Sequence, residues 1–82
     1  ALSVYNNFAH WVGLAPYPAS REILSAFLAW LELSGRAAEM QVCLAAIARE
    51  HKVRGFEDPT KGSSVRLVVE GIKRTTAREG VE

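Results

Sequence analysis

The sequence predicts an all-α protein, a compact bundle of four to five helices forming one domain. Apolar residues recur at three- and four-residue spacing, no segment reads as a strand, and glycines and prolines punctuate the gaps between periodic segments. At 82 residues, 49% of them hydrophobic, the chain holds one modest core and has no room for a second domain.

The first helix is expected from about Leu2 to Val12. Tyr5, Phe8, Trp11 and Val12 recur at helical spacing, and Gly13 followed by Leu14 supplies a left-handed stop with a hydrophobic residue behind it. "LAPYPAS" cannot extend it, because Pro16 and Pro18 lack amide donors and push the residues before them into extended conformations. Ser20 is then a helix cap, with Glu22 in the first turn where a carboxylate complements the helix dipole. The second helix ends near Gly35. Its stripe of Ile23, Leu24, Phe27, Leu28 and Leu31, widened by Trp30 and Leu33, marks a central helix contacted on more than one flank.

A third helix is expected from about Ala37 to Val53, with Met40, Leu44, Ile47 and His51 on one face and Gly55 beyond its end. Ala45, Ala46 and Ala48 smooth the remainder, so another helix or a nucleic-acid backbone could approach closely. Asp58-Pro59-Thr60 reads as a turn, and Ser63 or Ser64 as the cap of the last helix. That helix carries Val65, Val68, Val69 and Ile72 on its core face and Arg66, Glu70 and Arg74 on a solvated, salt-bridged face. Gly71 within it costs about 1 kcal/mol relative to alanine, which suggests close packing there, and the polar tail after Thr75 is expected to fray.

Charge and cysteine content exclude several classes. Cys43 is the single cysteine, so no internal disulfide forms, and with two distant histidines it makes no recognisable zinc pattern. No apolar run reaches the roughly 20 residues that span a bilayer, and no signal peptide is visible, so a soluble, intracellular protein is expected. The start at Ala1 without methionine leads to the expectation of a piece of a longer chain. The net charge of +1 conceals an asymmetry. Between Arg49 and Arg78 there are eight basic residues against four acidic ones, whereas the preceding part is slightly acidic.

The order of these signals resembles the N-terminal core-binding, or SAM-like, domain of tyrosine recombinases and phage-type integrases, with a Cre-like pattern. "YNNFAHW" looks like the opening helix of that family, and "PASREILSAFLAWLELSG" like its second helix with a Pro-Ala-Ser lead-in and closing glycine. "LAAIAREHKVRGFEDPT" is similar to the family's Leu-x-Ala-Ile, histidine, glycine and Asp-Pro-Thr series, and "VRLVVEGIKR" to its last helix. The resemblance covers nearly the whole chain. It implies a module that grips one face of duplex DNA, with the second and third helices approaching the major groove and basic residues near the last helix meeting phosphates. It also implies contacts of the first and last helices with neighbouring recombinase protomers in a synaptic assembly. Strand exchange through a phosphotyrosine, without metal or nucleotide cofactor, would belong to a following catalytic domain that these residues lack. On this basis the chain is expected to be no enzyme by itself and to take no small-molecule substrate. It would work in the cytoplasm or nucleoid of a prokaryote or phage host, or in a nucleus.

The candidate DNA-binding residues are Arg36, Gln41, Arg49, Lys52, Arg54, Lys61, Lys73 and Arg74. Lys73 and Arg74 close the last helix, where cations suit its dipole and where the family's interdomain linker lies on DNA. The alternative for the whole set is an ordinary solvated surface. Two roles are open to Gln41, a bidentate contact to adenine and a plain surface glutamine. "GRAAEMQVCL" departs from the family in lacking a Ser/Thr cap and in placing Glu39 where it would repel phosphates. Glu39 would read a cytosine amino group, cap the helix, or mark weak DNA binding.

A protein–protein interaction module is the alternative function, with Leu2, Tyr5 and the outer flank of the second helix as docking residues. Catalysis would need Cys43 beside His10 or His51 with positive charge near the thiol, and no triad spacing or phosphate-binding glycine loop supports it. Phe8, Trp11, Phe27 and Trp30 could stack on unpaired bases, but their positions on apolar stripes favour core packing.

Overall fold

The computed structural model describes residues 2–81, with side chains described for all of these except 64 and 76–81. The helices are α1 (Leu2–Val12), α2 (Arg21–Leu33), α3 (Met40–Val53) and α4 (Ser63–Val81), and 3₁₀ turns at Ala37–Glu39 and Pro59–Lys61 lead into the last two. No strand occurs among the described residues. The all-α bundle expected from periodicity is the observed architecture.

Three helices stop in the same way. Gly13, Gly35 and Gly55 adopt φ of 76°, 72° and 81°, a region that strains any residue with a Cβ. The residue after each glycine donates its N–H back into the last turn: Leu14 to Ala9 O at 3.0 Å, Arg36 to Leu31 O at 2.7 Å, Phe56 to His51 O at 2.8 Å. Carbonyls that would otherwise lack partners are thereby satisfied. At the start of α2, the Ser20 hydroxyl accepts from Ile23 N–H at 3.2 Å, as a capping serine should.

The starts of the last two helices differ from expectation. No side chain caps the segment at Ala37, and it opens as a 3₁₀ turn in which Glu39 N–H donates to Arg36 O at 2.9 Å. The α-helix proper begins only at Met40. Before α4, Arg66 N–H donates to the Gly62 carbonyl at 3.0 Å, so Ser63 is already the first helical residue rather than its cap. The side chain of Ser64, the other candidate, lies outside the described residues. Asp58 instead caps the preceding 3₁₀ turn, accepting from Thr60 N–H at 2.9 Å and from its hydroxyl at 2.6 Å. The backbone of α4 continues to Val81, past Thr75 where fraying is expected.

The core is built on α2. Ile23, Leu24, Phe27, Leu28 and Leu31 are buried against Tyr5, Phe8 and Ala9 of α1, Met40, Cys43, Leu44 and Ile47 of α3, and Val65 and Ile72 of α4. Tyr5, a docking candidate by sequence, belongs to this core: it is fully buried, and its hydroxyl donates to Pro16 O at 2.7 Å. The linker is held at two further points. Tyr17 Oη donates to Asn6 Oδ1 at 2.9 Å, and Ala19 N–H donates to His51 Nε2 at 2.8 Å. That second bond leaves the ring proton on Nδ1, which donates to Ile47 O at 2.7 Å. His51 is thus a buried fastener between linker and α3.

Helix ends overhang this core. Trp11 is 76% exposed and Leu33 86% exposed, although both lie on the apolar stripes of their helices. Three other aromatics on these stripes, Phe8, Phe27 and Trp30, form a connected cluster with ring centroids 5.4 to 6.0 Å apart. Gly71 corrects a second expectation. A Cβ added there would meet nothing within 4 Å, so close packing does not explain the glycine. Gly71→Ala is therefore expected to stabilise the protein by about 1 kcal/mol through helix propensity. Chemical denaturation checks this, and a lower midpoint would mean that Gly71 has a packing role after all.

Candidate nucleic-acid interface

The exposed side of α3 carries Gln41, Ala45, Arg49 and Lys52, each three or four residues from the next, so they share one stripe. Ala45 leaves a low point in the middle of that stripe. On one side of it, Gln41, Leu44 and Ala45 join Thr60 of the second 3₁₀ turn and Arg66, Val69, Glu70 and Lys73 of α4 to line a groove of about 420 Å³. On the other side, Arg49 lines a cleft towards α1 with Leu2, Ala45, Ala46, Glu50 and Val53. Tertiary structure thus sets Gln41 and Lys73 in one groove, whereas Lys61, which follows Thr60 in sequence, is exposed and does not line it.

Three of the sequence candidates are placed otherwise. Arg36 is clamped by Glu39, Nε to Oε2 at 2.8 Å and Nη2 to Oε1 at 3.2 Å, while its guanidinium lies over Trp30 at 5.7 Å from the ring centre. These hydrogen bonds hold the Glu39 carboxyl below the usual carboxylate range. Glu39 makes no capping bond, so the helix-cap role proposed for it is not the one it takes. Arg54 pairs with Glu50 at 2.9 Å and stacks on Tyr17 at 4.2 Å, which fixes the linker to the end of α3. Arg74 is exposed and is not among the residues lining the groove.

Arg66 joins this groove although its spacing predicts a solvated face paired with Glu70, and no ion pair among the described residues joins the two. Its separation from Lys73 by seven residues, two helical turns, puts both on the same side of α4 and was the visible signal.

Cys43 and His51 are not placed as a nucleophile and its base. Burial first, and then the Glu39 carboxylate, push the Cys43 thiol up, opposite to the activation a nucleophile needs. His51 lies eight residues further along the same helix, roughly 12 Å by helical rise, and both its ring nitrogens are engaged. Burial, followed by the neighbouring Tyr17, likewise raises the Tyr5 phenol. Among the described residues no group of three His, Cys, Asp or Glu side chains is placed to hold a metal ion, and no helix is long and apolar enough to cross a membrane.

Fold and surface together define a small helical domain with a basic, smooth-centred face on α3 and α4. Compared with known proteins, the chain matches no family model, no curated protein and no solved structure.

Proposed function

We propose that this chain is the DNA-binding core-binding domain of a site-specific tyrosine recombinase or integrase, gripping one face of duplex DNA during recombination or integration. The observation that carries this reading is the α3 stripe, on which Gln41, Arg49 and Lys52 flank the small Ala45 beside the groove holding Arg66 and Lys73. A duplex approaching this face meets cations at its edges and little bulk at its centre. The ordered motifs from "YNNFAHW" to "VRLVVEGIKR" support the same assignment. On this reading the chain positions DNA inside the cell and a separate domain cuts it, with other recombinase protomers as partners and no cofactor bound here.

The Arg36–Glu39 clamp gives the reading a specific consequence. Paired, the two side chains cancel each other's charge; Glu39→Gln removes the anion and releases Arg36. Non-specific DNA binding is expected to strengthen, and the salt slope to steepen by about 0.9 if Arg36 takes up one phosphate. Because Glu39 makes no capping bond, circular dichroism should show unchanged helix content. A drop in helicity instead would mean that the carboxylate supports α3.

A second reading, a protein-interaction module, is favoured by Trp11, Leu33 and Leu67, each more than two-thirds exposed. An amide-shift titration with a short duplex at low and moderate salt separates the two. Shifts along α3 and at Lys73 that fade with salt support DNA binding. Shifts that appear only as protein concentration rises, centred on Trp11, Leu33 or Leu67, support the interaction module.

A further inference from the structure

Glu70 is out of place in a groove built only for phosphates. It lies one turn from Arg66 and one turn from Lys73, on the same groove wall, and a phosphate seated between those cations would face its carboxylate. Base edges do not share that conflict. In the major groove guanine offers two acceptors, O6 and N7, and cytosine offers an amino donor, so one G·C pair calls for a cationic fork beside a carboxylate.

Arg66 and Glu70 present that combination. They stand four residues apart on α4, which brings their Cβ atoms to about 5–6 Å, and both are exposed at the rim above the buried Leu44 and half-buried Val69. Elsewhere in the molecule arginines three or four residues from a carboxylate have closed onto it: Arg36 onto Glu39 at 2.8 Å and Arg54 onto Glu50 at 2.9 Å. Arg66 and Glu70 have not closed among the described residues, and both heads keep their hydrogen-bonding capacity for a ligand. Within an α-helix, arginine preceding glutamate is the less favourable order for an i, i+4 pair, the reverse of Glu50 and Arg54; Arg36 and Glu39 close instead across the start of a 3₁₀ turn.

We infer that this groove reads a G·C base pair, Arg66 donating to guanine O6 and N7 and Glu70 accepting from the cytosine amino group. This rests on the DNA reading above and adds to it the residues that choose sequence, while Arg49, Lys52 and Lys73 serve the backbone. Lys73, a turn beyond Glu70, reaches outward to the phosphate flanking that pair.

The test is selection of duplexes with a randomised centre by the full 82-residue chain, wild type and two variants. The wild type should enrich a G·C pair at a defined position. Arg66→Ala should lose the guanine preference there by roughly 5- to 150-fold. Glu70→Gln should turn the preference towards adenine, because a glutamine amide matches adenine N6 and N7 whereas a carboxylate does not. Both residues are exposed, so circular dichroism of the variants should match the wild type. If the wild type binds duplexes with a salt-dependent affinity but selects the same sequences as both variants, the base-reading role is wrong and the DNA reading stands. If the wild type binds no duplex even at low salt, the DNA reading fails and takes this one with it.

Discussion

Replacing His51 with alanine is expected to destabilise the protein by about 3–5 kcal/mol, a large part of the stability of a domain this small. Two losses add. The fully buried imidazole leaves a void among Tyr17, Ile47 and Phe56, whose rings or backbone lie against it. The half-buried Ala19 N–H also loses its acceptor. Ile47 O, by contrast, keeps the ordinary intrahelical bond from the backbone N–H of residue 51, so the Nδ1 contact is the lesser loss. His51→Gln distinguishes the two contributions. Its amide oxygen can reach the place of Nε2 and accept from Ala19, so it should recover about half the loss. Denaturant midpoints at constant slope measure both variants. A loss below about 1 kcal/mol for the alanine variant would show that the linker is not fastened through this ring.

The same residue shows where sequence reading runs out. Its place on the apolar face of the third helix follows from the spacing Met40, Leu44, Ile47, His51, and the structure buries all four. Its partner does not follow, since Ala19 is 32 residues away and the bond exists only once the linker has folded back over α3. Although the expected caps at Ser63 and Glu39 do not form, the three glycine stops and the Ser20 cap are legible in the sequence because each is satisfied within a few residues of itself. Trp11 and Leu33 misled for the opposite reason. Periodicity says which face a residue shares but not how far the neighbouring helix extends, and both sit in the last turn of helices that outrun the core. A glycine inside a helix suggests close packing from sequence alone, and at Gly71 the open space around the missing Cβ removes that reason.

The candidate interface divides along the same line. That Gln41, Arg49 and Lys52 share a stripe, and Arg66 shares one with Lys73, is contained in the spacing of each helix. That the two stripes meet across Thr60 depends on the 3₁₀ turn between them, which Asp58 sets by binding both the amide and hydroxyl of Thr60. Arg36 and Arg54 look like surface cations in the sequence. In the fold each is engaged by a carboxylate and an aromatic ring, a partnership that spacing to Glu39 and Glu50 permits but does not require.

On the proposed DNA-binding reading, removing Arg49 and Lys52 together should weaken duplex binding by roughly tenfold at low salt and flatten the log–log salt slope by about 1.8, the change that two lost phosphate contacts would give. The loss should be uniform across DNA sequences, because phosphates carry no base identity. Stability should hardly change: both side chains are exposed and neither joins an ion pair among the described residues. Arg54→Ala is the informative control. It removes the same charge from the same end of α3, but from a guanidinium already bound to Glu50 and stacked on Tyr17, so it should lower stability more than it alters the salt slope. Equal slopes for the wild type and the Arg49/Lys52 variant would remove α3 from the DNA interface. If that variant instead left DNA affinity intact while Trp11→Ala abolished concentration-dependent self-association, the exposed aromatic end of α1 would be the working surface and the interaction-module reading would replace the first.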